Sequence, residues 1–148
     1  MKISTKGRYG LRVMIELAIR YGQRPVMMDT IFSCVGVSRK YLYTLLTVLK
    51  NAGMVRAVRG AGGGFSLARA PEKITVLEVV EALEGKLMAV ACVSEEDGQE
   101  CERIGQCAAR EVWQELAAQV RKVLGNIRLD ELAERQQSNQ PQPLMFHI

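Results

Sequence analysis

No run of apolar residues in this 148-residue chain approaches the roughly 20 that a membrane span needs. The opening MKISTKGRYG carries Lys2 and Lys6, but no apolar block ending in small residues follows, so it does not read as a secretory signal. A cytoplasmic location with no membrane contact is the expectation, and in that compartment thiols stay reduced. Histidine is nearly missing: His147, the only one, lies in a polar, proline-bearing tail. With no structured histidine, no nucleophile–base pair and no paired carboxylates in a cleft-like context, an enzyme is not expected. Internal repeats are absent too. So are Cys-x-x-Cys pairs, although three of the four cysteines, Cys92, Cys101 and Cys107, crowd into one acidic stretch, CVSEEDGQECERIGQC. Clustered thiols in a reducing compartment point to metal or redox chemistry rather than a disulfide framework. Spacing alone leaves an iron–sulfur cluster, zinc and free thiols equally open. A zinc site would usually show tighter cysteine pairs and a histidine.

Acidic residues are scarce in one half only. Residues 1–73 hold 13 Lys and Arg against 3 Asp and Glu, a net +10, whereas residues 74–148 carry a net −6. A basic half joined to an acidic half is expected when one part meets a polyanion and the other has a different task.

The hydrophobic pattern is mainly helical. A first helix is predicted over STKGRYGLRVMIELAIRYGQRP, capped by Ser4 or Thr5, with Leu11, Met14, Ile15, Ala18 and Ile19 as its apolar face and Lys6, Arg8 and Arg12 near its start. A short helix from Asp29 to Val35 follows, with Cys34 expected as a buried small hydrophobe. Gly36 then makes a turn, Val37 plugs the angle, and Ser38 caps a second helix over Arg39 to about Ala52, with Leu42, Leu45, Leu46 and Leu49 inward. Short helix, glycine turn and capped second helix make a helix-turn-helix signature. MVRAVRGAGGGFSLA reads as a β-hairpin with a basic, glycine-rich tip. A phosphate loop would need a helix directly after those glycines, and a strand follows instead. A wing that lies along phosphates or enters a minor groove fits better.

A further helix over ITVLEVVEALEG is capped at Thr75, with Leu77, Val80 and Leu83 inward. After the cysteines, Trp113, Leu116, Val120, Val123 and Ile127 recur at 3-4-3-4 spacing, a narrow seam suited to one long partner helix. LDELAERQ adds a short helical turn. The expected fold is mainly α with a small β-hairpin wing: a winged helix-turn-helix over 1–84, a cysteine-bearing loop over 85–107, a dimerisation helix and C-terminal turn over 108–135, and a disordered tail over 136–148.

On double-stranded DNA the outward residues of the second helix and wing would make the contacts. The expected set is Lys2, Ser38, Arg39, Lys40, Tyr41, Tyr43, Thr44, Lys50, Arg56, Arg59, Gly60 and Gly62. Arg39 could read guanine bidentately, while Lys40 and Lys50 suit phosphates.

MKISTKGRYGLR, VSRKYLYTLLTVLKNAGMVRAVRGAGGGFSLAR, ITVLEVVEALEG, the cysteine triplet and VWQELAAQV follow one another as in the bacterial IscR/NsrR/CymR group of winged-helix regulators, which the chain resembles over residues 1 to about 135. The resemblance looks nearest to the cluster-biogenesis branch. It implies a homodimeric transcription regulator whose operator binding is controlled by an iron–sulfur cluster, regulating cluster-biogenesis genes. Cys92, Cys101 and Cys107 match the group's cluster thiolates, with a 2Fe–2S cluster the expected form and 4Fe–4S the alternative. Where cluster-biogenesis members place a histidine three residues after the last cysteine, this chain has Arg110, which has no lone pair to donate. Glu102, Glu111, a partner-chain residue or a small exogenous molecule is the remaining source of a fourth ligand. Cluster-switching members often have glutamate where this chain has Tyr43, so its two cluster states are expected to differ less in sequence preference. A regulator of the same fold that senses nitric oxide, thiol oxidation or a protein partner is the alternative. A cluster-carrying electron-transfer or scaffold protein is the reading from another class, and it would need neither wing nor capped reading helix.

Overall fold

The computed structural model describes residues 3–87, 90–93 and 101–140. Helix α1 (Thr5–Ile19) is the axis of the fold, and its Ser4 hydroxyl accepts from the Lys6 N–H at 3.1 Å, completing the N-terminal cap. Its buried residues run continuously from Val13 to Ala18 rather than along one stripe. The reason is that helices pack on several sides of it: α2 (Met28–Val35), α3 (Arg39–Asn51), α4 (Val76–Glu84) and α6 (Leu129–Asn139).

Gly36 closes α2 in the left-handed conformation at φ 74°, which a side chain would resist, and so turns the chain into α3. Ser38 caps α3 by accepting from the Tyr41 N–H at 3.2 Å. Leu42, Leu45, Leu46 and Leu49 are buried, and Val37 packs on the same core from the turn. Strands β1 (Val55–Val58) and β2 (Gly64–Leu67) pair antiparallel, with Val55 opposite Leu67 and Val58 opposite Gly64. Val26 and Phe65 exchange backbone hydrogen bonds of 2.7 and 2.8 Å, which straps the hairpin to the segment before α2. Gly64 is needed there, since a Cβ would lie 2.4 Å from the Val26 carbonyl oxygen.

Helix α4 begins with a complete capping box, Thr75 and Glu78 each bonding the other's backbone N–H. Burial pushes the Glu78 carboxyl up, but the Thr75 N–H and hydroxyl and the Arg69 guanidinium hold it below its ordinary value. Helix α5 (Ala108–Gly125) lies against α4, where Val120, Leu124 and Ile127 pack on Val76, Val80 and Leu87.

Three expectations change. The predicted turn LDELAERQ is an 11-residue helix, α6, whose Leu129 and Ala133 are buried in the main core. Residues 136–139, expected in a disordered tail, form its last turn, and Gln136 donates to the buried Glu16 carboxylate at 2.6 Å. That partner on α1 is invisible to local composition. His147 lies outside the described residues. Cys34 is exposed, not buried, because α2 turns Ile31 and Val35 inward and leaves Cys34 facing Arg20, whose Nη2 is 3.8 Å from the sulfur.

Candidate nucleic-acid interface and cysteine segment

The candidate face is formed by α3 and the wing. Ser38, Arg39, Lys40, Tyr43, Thr44 and Lys50 are all exposed on one helix, and Tyr43 is 61% exposed despite its aromatic ring. Tyr41, the remaining helix residue of the expected set, is half-buried against the core and supports α3 from behind. The hydroxyls of Thr44 and Thr47 donate to the Lys40 and Tyr43 carbonyls at 3.1 and 2.8 Å.

Between α3 and the wing runs a groove of about 210 Å³. Leu46, Ala57 and Phe65 line it with apolar surface, while Tyr43, Thr47, Lys50, Asn51 and Arg59 supply polar groups. Thr47 and Asn51 were not anticipated. Their spacing of four and eight residues from Tyr43 puts them on its face of the helix, a signal that was present in the sequence. Arg59 is exposed at the wing, and Gly60 and Gly62 shape its tip with φ of 96° and 78°. Arg56 is less free, since its Nη2 donates to the Ala68 carbonyl at 3.0 Å. Beyond the wing, Gly62 shares a concave patch with Arg20, Arg24, Met27 and Thr30, so the basic surface extends past the expected set. Lys2 lies outside the described residues.

Arg39 is held rather than free. It forms an ion pair with Asp29 of α2, and its guanidinium sits 4.7 Å from the centre of the Phe32 ring.

The cysteines stand at the opposite pole of the sequence's charge asymmetry. Cys92 lies in a single 3₁₀ turn, Ala91–Val93. Cys101 precedes a turn stabilised by an Ile104 N–H to Cys101 carbonyl bond of 3.2 Å, and Cys107 is the N-cap residue of α5. All three thiols are half-buried and unpaired by disulfides. Arg110 donates from Nε to the Cys92 backbone carbonyl at 3.0 Å, tying the first turn of α5 to the Cys92 turn. Glu102 and Glu111 are exposed. The acidic residues Glu95, Glu96, Asp97 and Glu100 lie outside the described residues. Three thiols suit an iron–sulfur cluster in donor chemistry. Among the described residues no three His, Cys, Asp or Glu side chains are gathered at a metal-sized site. Arg110, three residues after Cys107, is the cation tied to this segment's backbone by its bond to the Cys92 carbonyl.

The model of the Rrf2 family, described as an iron-dependent transcriptional regulator, matches residues 3–135. This chain belongs to the Rrf2 family. Its relatives bear out a winged-helix transcription regulator and not an enzyme. The regulator CymR of Bacillus subtilis (strain 168) is 38% identical over 148 residues, the whole of both chains. The solved structure of B. subtilis CymR, named there as the global cysteine regulator, aligns with a TM-score of 0.76 at 39% identity, covering 91% of this chain and 98% of that one. T. potens IscR aligns with a TM-score of 0.74 at 34% identity, covering 99% and 97%. These identities do not single out the cluster-biogenesis branch for this Rrf2 regulator. Among the described residues no helix is long and apolar enough to cross a membrane.

Proposed function

We propose that this protein is a homodimeric transcription regulator that binds double-stranded DNA through α3 and the wing, and that its cysteine segment controls that binding. The observation that carries the reading is the exposure of Ser38, Arg39, Lys40, Tyr43, Thr44 and Lys50 along α3 and its cap, bordered by the groove that Arg59 lines on the wing. A duplex offers phosphates to the cations and base edges to the early residues of α3. A dimer is supported by α5, which exposes Val112, Trp113, Leu116 and Val123 while Val120 packs on α4. Burying such a seam against a second copy removes several large apolar side chains from water. Two copies would then present two recognition helices to half-sites about one helical turn apart.

Cys92, Cys101 and Cys107 would hold an iron–sulfur cluster, 2Fe–2S in the favoured form, which supplies sensitivity to iron, sulfide and oxidants. IscR likeness supports this. A thiol-sensing reading is favoured by Arg110, which stands in the fourth-ligand position, and by the likeness to a cysteine regulator. Protein purified without oxygen, with iron and acid-labile sulfide counted beside its absorption spectrum, separates the two. A brown protein with about two iron and two sulfide per chain, lost on Cys92→Ala, supports the cluster. A colourless protein that takes up no iron on reconstitution transfers control to the thiols themselves.

A further inference from the structure

Asp29 is the one acidic residue between Glu16 and Glu72, a span that contains α2, α3 and the wing. The same span carries Arg20, Arg24, Arg39, Lys40, Lys50, Arg56, Arg59 and Arg69. Glu16 is buried, but the Asp29 side chain is 70% exposed, beside a surface that the proposed function turns toward phosphates. A lone exposed carboxylate there repels DNA. Its pair with Arg39 does little for stability, because solvent screens ion pairs this exposed. Its geometry offers a better reason.

Arg39 is the first residue of α3, so its backbone is set by the Ser38 cap. Its guanidinium is constrained twice more, by Asp29 at Nη1 and by the Phe32 ring against its face. The bond at Nη1 leaves the N–H groups of Nη2 and Nε for a second acceptor. We propose that Asp29 is a specificity-determining residue: it holds Arg39, stacked on Phe32, in the orientation that reads one guanine in each half-site. Guanine presents two acceptors, O6 and N7, at the spacing of a guanidinium edge, and no other base does so in the major groove. A side chain already fixed in its reading rotamer loses less freedom on binding. A fork held in that pose cannot swing away from adenine's N6 donor, so fixing it sharpens discrimination as well as affinity. The inference rests on the proposed DNA-binding function and deepens it.

The test is selection of bound duplexes from a random double-stranded DNA pool by the full-length protein, followed by fold-preference measurements at each base position. The wild type, Arg39→Ala, Asp29→Ala, Asp29→Asn and the Asp29→Ala/Arg39→Ala double variant are compared. The wild type is expected to select guanine at one position per half-site. Arg39→Ala should lose that preference, a change of roughly 5- to 150-fold, and leave the rest of the motif intact. Asp29→Ala should lose preference at the same position, with no further loss in the double variant, and Asp29→Asn should fall between. Circular dichroism checks that each variant is folded, and the isosteric Asp29→Asn carries the test if alanine disturbs the start of α2. The inference is overturned if Asp29 variants keep the motif, weaken all sequences uniformly, or lose a different position from Arg39→Ala. A wild type that enriches no motif and binds independently of salt sinks the DNA-reading function itself, a distinguishable failure.

Discussion

Removing the Glu84 carboxylate should loosen the whole molecule at a joint between α4 and α1. Glu84 is the last residue of α4, and its Oε1 accepts from the Ser4 N–H at 3.1 Å, the Ser4 hydroxyl at 2.5 Å and the Gly7 N–H at 2.8 Å. It thus serves as a second cap for α1, in a place where negative charge also meets the positive end of the helix dipole. Hydrogen bonds to a charged group contribute about 1.5–3 kcal/mol each, and three to one partly solvated oxygen add up to less than their sum. Glu84→Ala is expected to cost about 2–3 kcal/mol, which for a chain of this size lowers Tm by roughly 4–10 °C. Gly7 reports on the same contact, because a Cβ built there lies 2.5 Å from Glu84 Oε1 and 3.0 Å from Ile3 Cγ2. Gly7→Ala should therefore destabilise the wild type by about 1–2 kcal/mol by expelling the carboxylate. In the Glu84→Ala background that obstacle is gone, and the same change should be neutral or stabilising by up to about 1 kcal/mol, the ordinary preference of a helix for alanine over glycine. Urea unfolding followed by circular dichroism, at one fixed protein concentration, measures the cycle. A Gly7→Ala effect of the same size in both backgrounds would refute the reasoning. The pH dependence adds a sign. The Ser4 hydroxyl, with the Gly7 and Ser4 N–H groups and Lys6, holds the Glu84 carboxyl below its ordinary value against the opposing push of burial. Folding thus favours the ionised form. The stabilisation is fully present above the unfolded carboxyl pKa of about 4.3 and is lost as pH falls through the lower folded value. The stability gap between wild type and Glu84→Gln should be constant near neutrality and close in acid.

Two further outcomes follow from the packing and the charges. Leu129 is fully buried in the main core, so Leu129→Ala should cost about 2–5 kcal/mol, as measured by urea unfolding; a loss below about 1 kcal/mol would mean that α6 is not part of that core. Arg59→Ala should weaken binding to all duplex sequences alike and reduce the slope of log affinity against log salt by about 0.9 if it makes one phosphate contact; an altered sequence motif with an unchanged slope would place it on a base instead.

Much of the winged helix-turn-helix was legible because its signals are local. Ser38, Gly36 and the leucines of α3 act within one or two turns of their own position, and the glycines at 60–64 mark a turn between two short apolar runs whatever packs around them. The Thr75–Glu78 capping box is similarly self-contained. The end of the chain misled for the opposite reason. LDELAERQQSN has few apolar residues, and its helix persists because Leu129 and Ala133 enter a core assembled by α1, over a hundred residues earlier. The same distance explains α1: one apolar face was visible, but Val13 and Leu17 are buried as well, because helices distant in sequence pack on several sides of it. Cys34 looked like core by residue type and proved exposed by helical phase.

The fold class, the capped helix α3 and the cations around it could be read along the chain, because caps, turns and periodicity depend on sequence neighbours. So could the crowding of three thiols into one segment, with Arg110 three residues after the last of them. Which long-range partners those residues take depends instead on how the helices pack. Glu84 closes on Ser4 and Gly7, Gln136 on Glu16, Arg39 on Asp29 and Phe32, and Arg110 on the Cys92 carbonyl. Each such contact depends on how helices distant in sequence are placed side by side, and that placement is a property of the whole core rather than of any stretch within it.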